Sequence, residues 1–133
     1  MPVTLETLTT PSAQDLLDLE KIYADYDFAD WPAVKAALTS TPAMTLYGAR
    51  FNNRLLGAAS VTDDNGTAIL NHLCVRSVTR RRNVARDLLR LLLQHHRQAQ
   101  WQMQLCCDSP GAVRLLENAG FVRSGDRFTL GNG

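Results

Sequence analysis

The residues best placed to do chemistry are arginines. Twelve of the fourteen basic residues are Arg, and six of them fall between Arg76 and Arg90. They sit in Leu73-Cys74-Val75-Arg76-Ser77-Val78-Thr79-Arg80-Arg81-Arg82-Asn83-Val84-Ala85-Arg86, where a β run ends, three arginines follow and a helical pattern begins. The first amides of a helix have no partner inside it, and the helix dipole adds partial positive charge at that end. Such a turn makes an anion pocket suited to a pyrophosphate. Arg80, Arg81, Arg82 and Arg86 add guanidinium donors that match phosphate geometry, and Thr79 and Val84 flank the turn. Ala85 allows close backbone approach, and Asn83 is among the non-glycine residues that best tolerate a left-handed conformation. Three arginines alone more often make an exposed basic turn or a weak nucleic-acid patch. The strand-turn-helix context favours phosphate.

Other polar candidates are sparser. His72, just before Leu73, titrates near neutrality and is a candidate base, although a lone strand histidine also serves structure. His95 and His96 are adjacent near a helix end, which suits charge placement there better than a metal site. Cys74, Cys106 and Cys107 form no CxxC, and an odd count suits a reducing compartment. Cys106 and Cys107 would point to opposite faces of a strand. Tyr23, Tyr26 and Trp31 fit either a pocket mouth or the core. No Walker motif, zinc spacing or Gly-x-Ser-x-Gly occurs.

These groups need a scaffold, and the hydropathy pattern supplies one. Residues 3–8 alternate as a strand. Ser12 then opens a helix carrying Leu16, Leu17, Leu19, Ile22, Tyr23 and Tyr26, and Pro32 to Leu38 fits a second, short helix. From Met44 the period becomes two. Asn52-Asn53-Arg54 and Asp63-Asp64-Asn65-Gly66 separate three β runs, predicting an antiparallel meander. Val84, Leu88, Leu91, Leu92 and Leu93 mark a helix, WQMQLCCD a strand, and residues 110–119 a short helix closed by Gly120. FVRSGDRFTL is a final strand or hairpin. The predicted class is α/β, a mixed central sheet with helices on both faces.

At 133 residues the chain reads as one domain, 1–133, able to bury about two-thirds of its unfolded surface. With 45% hydrophobic and 20% charged residues it is not a disordered chain. A net charge of +1, without aromatics beside the arginines, argues against a nucleic-acid partner. No apolar run approaches a membrane span and the N-terminus does not read as a signal peptide, so a cytoplasmic location is expected. The charge is uneven, with seven acidic residues and one base in residues 1–30. Asp15, Asp18, Asp25, Asp27 and Asp30 read as a solvated acidic face, or as an attractant for a cationic acceptor or partner surface.

LCVRSVTRRRNVARDLL resembles the acyl-CoA-binding motif of the GCN5-related N-acetyltransferase (GNAT) superfamily, with Arg80, Asn83 and Ala85 on its Arg/Gln-x-x-Gly-x-Gly/Ala positions. SPGAVRLLENAGF resembles a second GNAT block, matching at Ala112, Leu115, Glu117, Gly120 and Phe121. QDLLDLEKIYADY, LYGARFNNRLLGAASVT and VRSVTRRRNVA are similar to the PanZ family, the acetyl-CoA-sensing maturation factors of aspartate 1-decarboxylase. The resemblance implies a GNAT fold and acetyl-CoA or CoA as ligand. The backbone of Leu73, Cys74 and Val75 would hold the acyl group and pantetheine arm, and the amides of residues 82–86 the pyrophosphate. It also implies the decarboxylase precursor as partner, contacted by Arg50 and Asn52, although an Asn between strands also serves simply as a turn residue. The alternative is a small N-acetyltransferase acting on an amine. The superfamily's usual Tyr position falls on Leu116, and His72 is the candidate base, so binding without turnover is the leading expectation.

Overall fold

The structure is a computed structural model describing residues 3–24, 30–76, 83–96, 100–104, 110–125 and 127–131. The elements run β1 (Thr4–Thr7), α1 (Ala13–Ala24), α2 (Trp31–Ser40), β2 (Met44–Phe51), β3 (Arg54–Asp64), β4 (Thr67–Val75), α3 (Val84–His95), β5 (Gln100–Gln104), α4 (Pro110–Asn118), β6 (Val122–Ser124) and β7 (Arg127–Leu130). One seven-stranded sheet has the order β1-β2-β3-β4-β5-β7-β6. Among the described residues only the β4–β5 pair is parallel, as the intervening α3 requires, and the other neighbours are antiparallel.

Local chemistry explains the element ends. Ser12 Oγ accepts from the Asp15 amide at 3.1 Å while the Asp15 carboxylate accepts from the Ser12 amide at 3.3 Å, a reciprocal cap for α1. Asp30 Oδ1 caps α2 through the Ala33 amide at 3.1 Å, with Pro32 in the first turn. That cap starts α2 at Trp31, and the helix runs to Ser40, longer than the 32–38 expected. Gly120, at φ 102°, ends the α4 turn, with the Phe121 amide bonded to the Leu116 carbonyl at 3.0 Å. Asn65 and Gly66 both take positive φ in the β3–β4 turn, as Asn-Gly predicts. The ending is a hairpin, β6–β7.

The sheet separates two cores. On one face α1 and α2 bury Leu19, Ile22, Tyr23, Trp31 and Val34 against Leu46, Leu55, Ala58 and Cys74. On the other, α3 and the end of α4 bury Val84, Leu88, Leu89, Leu92 and Leu116 against Tyr47, Leu56, Leu70, Val75, Trp101 and Phe128. Tyr23 and Trp31 stack with centroids 6.2 Å apart, so these two aromatics are core. Tyr26 lies outside the described residues.

Candidate functional site

Strand β4 is where the sheet departs from regularity. Cys74 pairs with Ala58 and Asn71 with Ser60, so His72 and Leu73 together oppose Ala59. The extra residue makes a β-bulge, and His72 sits in it at φ 55°, a left-handed conformation that a β-carbon disfavours. Three contacts hold it there. Tyr23 Oη donates to the His72 carbonyl at 2.8 Å. The His72 amide donates to Asn71 Oδ1 at 2.8 Å, and the ring Nδ1 lies 2.7 Å from Ser60 Oγ. Burial pushes the His72 imidazole below its ordinary pKa, favouring the neutral ring.

The bulge bends β4 where the neighbouring strand pairing ends. Parallel pairing of β4 with β5 joins Thr67–Ile69 to Gln100–Gln102. Beyond it β4 continues to Val75 on β3, while Met103 and Gln104 pair with β7. Among the described residues, Leu73, Cys74 and Val75 thus have no strand partner on their β5 side. Leu73 is partly buried, and Cys74 and Val75 are buried. Cys74 Sγ donates to the Ile22 carbonyl at 3.3 Å, in the α1 core. Gly57 faces Val75 so closely that a β-carbon there would sit 2.7 Å from Val75 Cγ1.

Helix α3 starts just after that strand. Asn83 takes φ 62°, ψ 21°, the left-handed conformation the sequence anticipated, and its side chain does not cap the helix. The leading turn is thus anchored by Val84, fully buried, with Ala85 partly buried beneath it. Arg86 is exposed, with Nε 3.9 Å from Asp87 Oδ1, and Arg90 lies one turn on. A groove of about 430 Å³ runs from Arg86 between α3 and α4, lined by Leu89, Arg90, Leu93, Leu115 and Ala119. Thr79, Arg80, Arg81 and Arg82 lie outside the described residues, as do Cys106 and Cys107.

The acidic N-terminal face proves to be something else. Asp15 and Asp18 are buried, and each binds an arginine of the β2–β3 hairpin. Asp18 accepts from Arg54 Nη2 at 2.6 Å and Nε at 3.0 Å, from the Leu55 amide at 3.1 Å and from Gln14 at 3.0 Å. Burial alone would raise the Asp18 pKa, but these donors together hold it below the ordinary carboxylate value. Arg50 donates to both Asp15 oxygens at 3.1 Å, to Glu6 and to the Asn53 carbonyl at 3.1 Å. These carboxylates are internal struts, not a solvated face or a lure for a distant cation. Asp30 is a helix cap, and Asp25 and Asp27 lie outside the described residues. Sequence reasoning missed the pairing because its partners stand 35 to 37 positions apart. Between the two arginines, Asn52 and Asn53 are exposed at φ 50° and 68°, which displays a tight, primed turn. Arg50 and Asn52 are therefore neighbours on one hairpin end, with the Arg50 guanidinium already engaged.

At the other end of the sheet, His96 is the C-cap of α3 and folds back, its Nε2 3.1 Å from Tyr47 Oη. Burial and neighbouring His95 lower the His96 pKa, so a charged His96 at the helix end, as expected from the sequence, gives way to a neutral ring packed on Tyr47 and Trp101. Among the described residues, no cluster of three metal-ligating side chains occurs, and no helix is long and apolar enough to cross a membrane.

A family model described as the PanZ acetyltransferase (GNAT) domain matches residues 2–125. The chain belongs to the PanZ family. Its relatives include the PanD regulatory factors of Salmonella typhimurium, 39% identical over 67% of this chain and 65% of that protein, and of Escherichia coli, 38% identical over 72% and 70%. The chain thus spans just under two-thirds of the Salmonella relative's length. The coenzyme A-bound solution NMR structure of E. coli YhhK matches with a TM-score of 0.76 and 30% identity, covering 97% of this chain and 98% of that one. The mixed sheet flanked by helices on both faces is the GNAT fold of the PanZ family, as the sequence resemblance implied.

Proposed function

We propose that this chain is an acyl-CoA-binding regulator that promotes maturation of the aspartate 1-decarboxylase precursor and restrains the mature enzyme. The observation that carries the ligand half is that, among the described residues, β4 runs on through Leu73–Val75 past its last pair with β5, ahead of a helix start whose N-cap side chain makes no capping bond. Past that last described pair, the amides and carbonyls of the strand suit an extended pantetheine arm, much as they would another strand. The first α3 amides, with Arg86, suit the diphosphate, and Arg80, Arg81 and Arg82 add charge from the adjoining segment. CoA binding by YhhK supports the ligand class. Acetyl-CoA is the finer assignment.

The partner half rests on the PanD regulatory factors and on the hairpin. Asn52 offers exposed donor and acceptor groups on a turn fixed from below by buried carboxylates. A surface ordered before docking loses little conformational entropy when it docks. In this reading Asn52 contacts the precursor directly and Arg50 sets the turn that presents it. His72 is placed as a holder of the bulge: its Nδ1 is occupied by Ser60 and its carbonyl by Tyr23. Leu116, where an acyltransferase of this superfamily commonly has Tyr, is buried in the core.

The test combines titration and turnover. Calorimetry should show CoA and acetyl-CoA binding, and Arg82→Ala should weaken it by about 1.5–3 kcal/mol, one charge-assisted hydrogen bond. The precursor should mature faster with the protein and acetyl-CoA present, while acetyl-CoA is consumed no faster than in buffer with any amine. Rapid CoA release with a defined amine would replace the regulator with an N-acetyltransferase.

A further inference from the structure

We infer that α1 is a positioning element joining the two halves of the proposed site, with Tyr23 holding the acyl-side bulge and Asp15 and Asp18 holding the docking turn. The inference rests on the regulator reading above and adds the route between ligand and partner. One end of α1 reaches β4, where Tyr23, 1% exposed, donates to the His72 carbonyl at 2.8 Å, and the Ile22 carbonyl meets Cys74 Sγ. The other end reaches the hairpin, where Asp15 binds Arg50, and Asp18, fully buried, binds Arg54 and the Leu55 amide. The eight helical steps from Asp15 to Tyr23 span roughly 12 Å, and a packed helix transmits small shifts without absorbing them.

His72 supplies the element with two arrangements. Its φ of 55° is disfavoured, and the Tyr23 and Asn71 hydrogen bonds and the Ser60 contact help to stabilise it. Relaxation to ordinary strand geometry would turn the His72 carbonyl off Tyr23. An acyl group on the backbone beginning at Leu73, the next residue, would bias that choice. Tyr23 then moves with the carbonyl, and the Asp15 and Asp18 carboxylates move with Tyr23.

The experiment uses the full chain. Acetyl-CoA and CoA are each titrated to saturation, followed by amide hydrogen exchange at Leu55 and amide chemical shifts at Asn52 and Asn53. In the wild type, acetyl-CoA should slow exchange at Leu55 about fivefold, within the range of ordinary site-to-site coupling. Tyr23→Phe keeps the ring and removes the donor. It should still bind acetyl-CoA, yet lose most of the response at Leu55, Asn52 and Asn53. Asp18→Ala cuts the other end by removing the acceptor of both the Leu55 amide and Arg54: acetyl-CoA affinity should stay within about twofold of wild type while the Asn52 and Asn53 signals stop responding. A purely structural role for Tyr23 would alter melting but leave the response intact. An unchanged Leu55 in saturated wild type overturns the inference without any variant, as does a full response in Tyr23→Phe. Failure of acetyl-CoA to bind the wild type is a separate result, seen in the titration, and removes the regulator reading together with the inference.

Discussion

Replacing Asp18 by Ala separates two ways in which α1 is fastened to the sheet. The carboxylate makes an ion pair with Arg54 and accepts the backbone amide of Leu55, a residue with no exposed surface. Removing it orphans that amide, at a cost of about 1–3 kcal/mol. Loss of the ion pair adds little, since the Arg54 side chain is 42% exposed and water replaces its partner. The loss is therefore about 1–3 kcal/mol, which for a domain of this size lowers the melting midpoint by roughly 3–15 °C. Asp18→Asn keeps an oxygen for Leu55 and gives up only the charge, so it should lose about 1 kcal/mol or less. Urea unfolding of the three proteins, in low and high salt, measures both steps. If Asp18→Asn proves as costly as Asp18→Ala, or if the Ala variant falls within about 0.5 kcal/mol of wild type, the buried amide is not the principal fastening.

Gly57→Ala should destabilise by about 1–3 kcal/mol, because the new carbon meets Val75 at 2.7 Å and the Cys74 carbonyl at 3.2 Å. It should also weaken CoA binding by displacing that strand, checked by titrating the folded variant. Asn83→Ala should lose about 1 kcal/mol in thermal unfolding from the left-handed backbone alone, since no side-chain cap is lost, and Asn83→Gly should show no such loss. Asn52→Ala should spare acetyl-CoA affinity and weaken docking to the decarboxylase precursor, as a pull-down with matched ligand occupancy would show. The Asp18 carboxyl titrates lower in the folded chain than its ordinary 3.8, so the unfolded chain binds more protons in that region. Its contribution is therefore complete above about pH 4 and fades as pH falls through the folded value, and Asp18→Asn should flatten that acid limb of stability against pH.

Much of this architecture can be read along the chain where local rules decide. The switch from a helical to a two-residue period at Met44 marks the meander, Ser12 marks α1, and Gly120 ends α4. Asn83 announces its left-handed start because Asn tolerates that conformation. The bulge is different: a left-handed residue inside a strand ordinarily carries a glycine signal, and here it is His72, stabilised by Tyr23 from 49 positions away. The buried carboxylates escape notice for the same reason, since a row of Asp on a helix looks solvated until the hairpin folds over it. His96 shows the reverse error, in which a helix-end histidine suggests charge while tertiary packing makes it a neutral aromatic neighbour.

The division of the interior by the sheet has a consequence for how such a protein can change over generations. Substitutions among Leu88, Leu89 and Leu92 touch one compartment, and those among Leu19, Ile22 and Val34 touch the other. Their effects should accumulate almost independently, leaving each compartment free to drift. Cys74 and Val75 are adjacent yet belong to opposite compartments, so this short stretch must answer to both histories at once.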